Sequence, residues 1–184
     1  MVIKKSLDII KNIKCFEEKE NIRFTFNWID GFSEIYVFKS EDDYKMENGY
    51  LCTAHEYKKR GGLVLPKTYG RFFYSFYPYR REDGEDVIFD SEDSLNKITH
   101  TCKINISYSI KEKTGRYKNY EVSFSSDNNV TSGVLKYSKG NFIYDFNFCL
   151  KKGQEAIRII RTNIDEEIKI YISEEKSFLY NLKG

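Results

Sequence analysis

Four side chains in this sequence carry the chemistry of zinc ligands: Cys52, His55, His100 and Cys102. Neutral imidazole and thiolate are the nitrogen and sulfur donors that zinc takes in tetrahedral sites. A Cys-x-x-His pair with a His-x-Cys pair would fill all four positions. On a strand, His100 and Cys102 would project from the same face. Against this, His-x-Cys is not a common zinc spacing, and the two pairs are far apart in sequence. The competing expectation makes Cys52 and Cys102 small buried hydrophobes. These four are the metal candidates, and no cofactor is expected.

A second pattern is the run at residues 71–81, where Phe72, Phe73, Tyr74, Phe76, Tyr77 and Tyr79 lie between Arg71 and the pair Arg80 and Arg81. Aromatic rings beside arginines stack on bases or sugars, so Tyr74, Tyr77, Tyr79, Arg80 and Arg81 form the candidate binding set. The competing expectation is a strand that buries one set of rings and packs the other on a neighbouring loop or domain. For catalysis the sequence offers less. Asp30, Glu34, Asp83, Glu85 and Asp86 are carboxylates of the kind a glycosidase pairs, but they fall where loops are expected. The acidic cluster at 82–86 lacks the ligand spacing of a calcium loop. There is no phosphate-binding glycine loop, dinucleotide fingerprint or Gly-x-Ser-x-Gly elbow, and no catalytic residues are assigned.

Composition narrows the partners. Thirty basic and 28 acidic residues leave a net charge of +2, a balance that gives no general field for nucleic acid or an anionic membrane. No apolar stretch approaches the roughly 20 residues that span a bilayer, and charged residues interrupt the start of the chain as they would not in an export signal. The expected compartment is the cytoplasm, where Cys15, Cys52, Cys102 and Cys149 remain thiols. Abundant Lys, Ile, Asn, Tyr and Phe fit the AT-rich codons of a low-GC bacterium, which accounts for part of the aromatic excess. The expected role is that of a non-enzymatic interaction module whose partner is another protein or a second copy. The alternative is a carbohydrate-binding or glycan-processing accessory protein that uses surface Tyr and Trp.

The elements that position these residues read as strands. Fifteen Tyr and 14 Phe, with alanine only at 54 and 156, suit a pleated surface and not a helix. Ile22, Phe24, Phe26 and Trp28 alternate with polar residues, and Ile35 to Phe38 reads as the next strand after the Asp30-Gly31 turn. Residues 50–57 read as a short strand ended by Gly61-Gly62, and Pro78 places the aromatic run on an edge or at a bulge. Further on, Ile104, Ile106, Tyr108 and Ile110 share a face, as do Tyr120, Val122 and Phe124. The strongest alternation is Phe142, Tyr144, Phe146, Phe148 and Leu150. Ile157 with Ile159, and Ile168 with Ile170 and Ile172, follow. Helix is expected only within the first dozen residues or at 95–98. Strands at this spacing predict an all-β protein of two tandem β-sandwiches, residues 1–98 and 99–184, with the boundary near 94–100.

The first half resembles a fibronectin type III, or immunoglobulin-like, sandwich. Asn12, Ile13, Lys14, Cys15 and Phe16 stand where that family has strand A, Trp28 where it has the strand-B tryptophan, and Tyr36 where it has the strand-C tyrosine. Leu65-Pro66-Lys67-Thr68-Tyr69 is similar to its Leu-x-Pro-x-Thr-x-Tyr corner, one residue shorter on each side of the Pro-Lys-Thr core. The resemblance implies a sandwich and carries no activity, because the fold serves many roles. For the second half the expectation rests on alternation alone.

Overall fold

The computed structural model describes residues 1–7, 9–90 and 93–184, and of Thr114 the backbone alone. The chain divides into two compact units, Met1–Cys102 and Lys103–Gly184, each built from strands.

In the first unit the alternation of Ile22, Phe24 and Phe26 becomes β3 (Asn21–Asn27), which buries those three side chains. It lies between β2 (Lys11–Glu17) and β6 (Leu63–Pro66) in a three-stranded antiparallel sheet. The opposing sheet has six strands. β7 (Gly70–Glu82) pairs with β4 (Glu34–Ser40), which pairs in turn with β5 (Gly49–Thr53). On its other side β7 pairs with β8 (Glu85–Asp90) and β9 (Lys97–Cys102), and β1 (Val2–Lys5) adds in parallel to β8. Ile35 and Val37 of β4 and Phe72, Tyr74 and Phe76 of β7 meet β3 and β6 in one core. The Phe24 ring lies 4.7 Å from Tyr74 and 5.4 Å from Phe76. Such pairs add about 0.5–1.5 kcal/mol beyond the area they bury.

β7 is not the edge strand that Pro78 predicts. Its ladder with β9 covers residues 70–75 and its ladder with β8 covers 79–82, so the proline falls in the gap between them. The Phe76 N–H donates to the Asn96 carbonyl (2.9 Å) and the Asn96 side-chain amide to the Phe76 carbonyl (3.0 Å), which shows that this parity of β7 points at the gap. The N–H that Pro78 lacks would point the same way, where no ladder bond is lost.

Residues 50–57 are also not one strand. β5 ends at Thr53 and a helix, α1 (Ala54–Arg60), begins. Thr53 and Glu56 form a capping box, with the Glu56 N–H donating to Thr53 Oγ1 (3.2 Å) and the Thr53 N–H to Glu56 Oε2 (3.1 Å). Gly61 closes the helix at φ +66, a left-handed conformation in which a side chain is strained. The helix brings Tyr57 onto β3 beyond the last β3–β6 pair, Phe24 with Leu63. There the Tyr57 hydroxyl accepts from the Phe26 N–H (2.8 Å) and donates to the Phe26 carbonyl (2.7 Å), doing for that residue what a neighbouring strand would. Among the described residues the segments expected to be helical are not: residues 2–5 form β1, and 97–98 begin β9. Asp8, Ser91 and Glu92 lie outside the described residues.

The second unit repeats the pairing of the first one's strands from β2 to β7, but its last strand joins the other sheet. β10 (Ile104–Thr114), β11 (Lys118–Ser126), β14 (Ala156–Thr162) and β16 (Tyr180–Lys183) form a sheet in the order β14-β11-β10-β16, with β16 parallel to β10. β12 (Leu135–Lys139), β13 (Phe142–Asp145) and β15 (Ile168–Ile172) form the other, in the order β13-β12-β15. Ile106, Tyr120, Val122, Phe124, Leu135, Ile160, Ile168 and Ile170 fill the core between them.

One expectation fails here. The alternation from Phe142 to Leu150 is not a single strand, because β13 stops at Asp145. The Phe148 N–H donates to the Phe146 carbonyl (2.9 Å), and Leu150 then bridges to Val130 through two backbone bonds of 2.9 and 3.0 Å. Phe146 and Leu150 are buried, whereas Phe142 and Tyr144 are exposed. Ile157 and Ile159 do share a face of β14, but it is the outer face, level with Ser123 and Glu121; Ile160 is the residue that enters the core.

The Tyr57 bridge gives a direct test. Tyr57→Phe leaves both backbone groups of Phe26 without that partner and is expected to lower unfolding free energy by about 1–3 kcal/mol. Urea titration checks this, with the midpoint falling and the slope unchanged.

Candidate functional site

The four metal candidates do not converge on one centre. Cys52 on β5 is level with Ile35 and, across β4, with Pro78; Cys102 on β9 is level with Gly70. That separation is about 26 Å along β7 and about 14 Å across the sheet, at about 3.3 Å per residue and 4.8 Å per strand. His55 sits exposed on α1. His100 and Cys102 do meet, and a residue with no signature in the sequence joins them. Glu17 ends β2, which runs beside β9, and among the described residues Glu17, His100 and Cys102 form the one close group of potential ligands. His100 Nε2 lies 3.3 Å from Cys102 Sγ and 3.4 Å from Glu17 Oε1. Lys67 Nζ holds the other carboxylate oxygen at 2.6 Å.

Burial sets the protonation of this group. It lowers the His100 pKa below its usual value, with Glu17 opposing and Lys67 reinforcing, so the imidazole is neutral near pH 7. It raises the Cys102 thiol to about 11, with the Glu17 charge adding to the effect. Cys15, two residues before Glu17 on β2, is pushed by burial to about 12. A Cys beside a His has the outline of a nucleophile and its base, but activation requires a depressed thiol pKa. Cys102 is 1% exposed with its pKa raised, so it is the reverse of an activated nucleophile.

The aromatic run does not present its tyrosines to solvent. Tyr74 faces the core, and Tyr77 and Tyr79 face the opposite side of β7, where they pack with Phe38 and Ile88. Tyr79 donates to Asp86 Oδ1 at 2.6 Å. Arg80 is exposed, but its guanidinium lies over Phe32 (4.4 Å) and Phe89 (5.0 Å), while Arg81 Nε donates to the Gly84 carbonyl (3.2 Å). The five candidates therefore divide between two faces, with both arginines bound within their own unit. Trp28 likewise packs against Phe26 and Tyr57, and its indole N–H donates to the Phe32 carbonyl at 2.8 Å.

The most exposed apolar strand is in the second unit. All four residues of β13 are exposed, with Phe142 at 70% and Ile143 at 64%. β13 pairs with β12 alone among the described residues. The Phe146 N–H donates to Leu135 (2.9 Å), and antiparallel pairs alternate between bonded and unbonded, so Tyr144 and Phe142 bond to β12. The backbone N–H and C=O of Ile143 and Asp145 thus point outward along a free edge. The Phe142–Leu150 alternation is thus exposed in its first half and buried at Phe146 and Leu150.

The thiol environments predict selective chemistry. In folded protein at pH 8, iodoacetamide is expected to label exposed Cys149 while Cys15, Cys52 and Cys102, all raised by burial, resist; unfolding should then expose all four. Mass spectrometry before and after denaturant reads the result, and fast native labelling of Cys102 would contradict this assignment. In comparison with known proteins, no family model matches the chain, and no curated protein does.

Proposed function

We propose that both units are immunoglobulin or fibronectin type III-like sandwiches and that the chain is a non-enzymatic protein-interaction module. The fold reading is supported by one pairing scheme that six strands of each unit follow, the seventh joining β7 in the first unit and β10 in the second. Setting β1 aside and counting β8 with β9 as one interrupted strand, strands one, two and five share a sheet in each unit, and strands three, four and six share the other. Immunoglobulin-like sandwiches likewise place the first, second and fifth strands together and the third and sixth together. The resemblance at Trp28 is in keeping with this, since Trp28 directly follows β3, the second strand of the scheme. Tyr36 departs from it by facing away from the main core, towards Phe38 and Tyr79.

The observation that carries the interaction reading is β13. A short strand with unpaired outward backbone groups and exposed Phe142, Ile143 and Tyr144 is suited to accept an extended segment of another polypeptide. Backbone bonds would supply the register, and the apolar side chains on both faces would supply burial. The carbohydrate reading has less support, because Trp28, Tyr74, Tyr77 and Tyr79 are committed to packing and exposed Tyr144 stacks on Tyr137.

Ile143→Pro tests the edge. It removes an outward N–H that β12 does not use, so the hairpin is kept while strand addition is blocked. Partners cross-linked to β13 in native lysate are expected to disappear with Ile143→Pro while the circular dichroism spectrum is retained. Undiminished cross-linking to this strand would refute the reading. Self-association in sedimentation that is lost in the variant would identify the partner as a second copy.

A further inference from the structure

We propose that Glu17, His100 and Cys102 of the first unit bind a zinc-class divalent ion, with solvent completing the fourth position. This goes beyond the interaction reading and involves the other unit, so either can fail without the other. The argument begins with geometry. Zinc binds sulfur at about 2.3 Å and nitrogen or oxygen at about 2.0–2.2 Å, so tetrahedral angles put an N···S donor pair about 3.5 Å apart and an N···O pair about 3.4 Å apart. His100 Nε2 lies 3.3 Å from Cys102 Sγ and 3.4 Å from Glu17 Oε1. All three ligand atoms lie within 4.8 Å of one another, so closing the Glu17–Cys102 pair needs only a small rotation of the exposed Glu17 side chain.

The surroundings fit an ion as well as the donors do. A thiolate and an imidazole select zinc and similar borderline-soft ions over calcium or magnesium, which prefer oxygen alone. Lys67 holds Glu17 Oε2 at 2.6 Å and so leaves Oε1 turned towards His100, the outer contact that commonly orients a ligating carboxylate. Coordination replaces the S–H proton of Cys102, which leaves to solvent. The thiolate and the Glu17 carboxylate then balance the double positive charge of the ion. Cys102 is buried and Glu17 is exposed, so one side of the site is closed by the core and the other opens to water. The ligands come from β2 and β9, strands of opposing sheets, and a bound ion would clasp the two sheets together.

The test uses the tag-free full chain, titrated with zinc against a chromogenic chelator and with cobalt as a spectroscopic substitute. The expected result is one ion per chain and a cobalt–thiolate charge-transfer absorption. Cys102→Ser is expected to remove that absorption, and His100→Ala and Glu17→Gln to weaken zinc binding. Lys67→Met is expected to weaken it by about tenfold, as the loss of an outer contact does. Cys52→Ser and His55→Ala should bind as the parent does. Should Cys102→Ser fail to fold, His100→Ala and Glu17→Gln decide, since both change partly exposed side chains and their ion-free spectra report folding. Absence of binding, cobalt spectra without a thiolate contribution, or unchanged affinity in His100→Ala would each overturn the proposal.

Discussion

Strand β7 is apolar on both faces, and burying both is the constraint around which the first unit is arranged. Phe72, Tyr74 and Phe76 require the sheet of β3 and β6 on one side, while Tyr77 and Tyr79 require Phe38 and Ile88 on the other. A strand buried in this way occupies the middle of its sheet, so it needs neighbours along both edges. β4 supplies one edge without a break. The other is interrupted opposite Pro78, where Asn96 bonds to Phe76 through both its backbone and its side chain. The interruption divides that neighbour into β8 and β9, and β9 is the part that runs beside β2. The meeting of Glu17 with His100 and Cys102 therefore follows from how the aromatic strand is enclosed.

The second unit places its aromatic residues differently. Phe124 meets Phe146 at 5.0 Å and Phe148 at 5.6 Å in the core, while the same alternating sequence contributes Phe142 and Tyr144 to the surface. Tyr144 stacks on Tyr137 across the hairpin at 5.1 Å. Cross-strand stacking keeps β13 on β12 even though the strand buries little of its own surface. The edge is thus ordered from one side and unpaired on the other.

Fold class was legible because alternation is a local signal: β3, β4, β10 and β11 stand where the period-2 patterns lie. Helix α1 was equally legible in principle. Thr53 with Glu56, basic residues at 58–60 and Gly61 are a start signal, a last turn and a stop, but aromatic Tyr50 and Tyr57 drew the segment towards strand. Pro78 misled because proline rules concern the missing N–H, and where that N–H would point depends on a gap set by tertiary structure. The Glu17, His100 and Cys102 group was half legible. His100 and Cys102 share a face through local spacing, whereas Glu17 arrives from a strand more than 80 residues earlier in the chain. Cys52 and His55 share the right chemistry but are separated by the sheet order, which composition and spacing do not encode.

The parallel pairing of β16 with β10 has a kinetic consequence. Asn181 bonds to Asn105 across 76 residues, so the ladder closes a loop that contains the rest of the unit. Loop closure of that length is entropically costly and must precede the contacts that offset it. The hairpin of β10 and β11 can form early from neighbouring residues, but its β10 edge stays open until the last strand arrives. Topology of this kind slows folding more than stability would suggest. Until closure, an unpaired strand carrying Ile104, Ile106 and Tyr108 is available to other chains, and the unit's greatest exposure to misassembly falls in that interval.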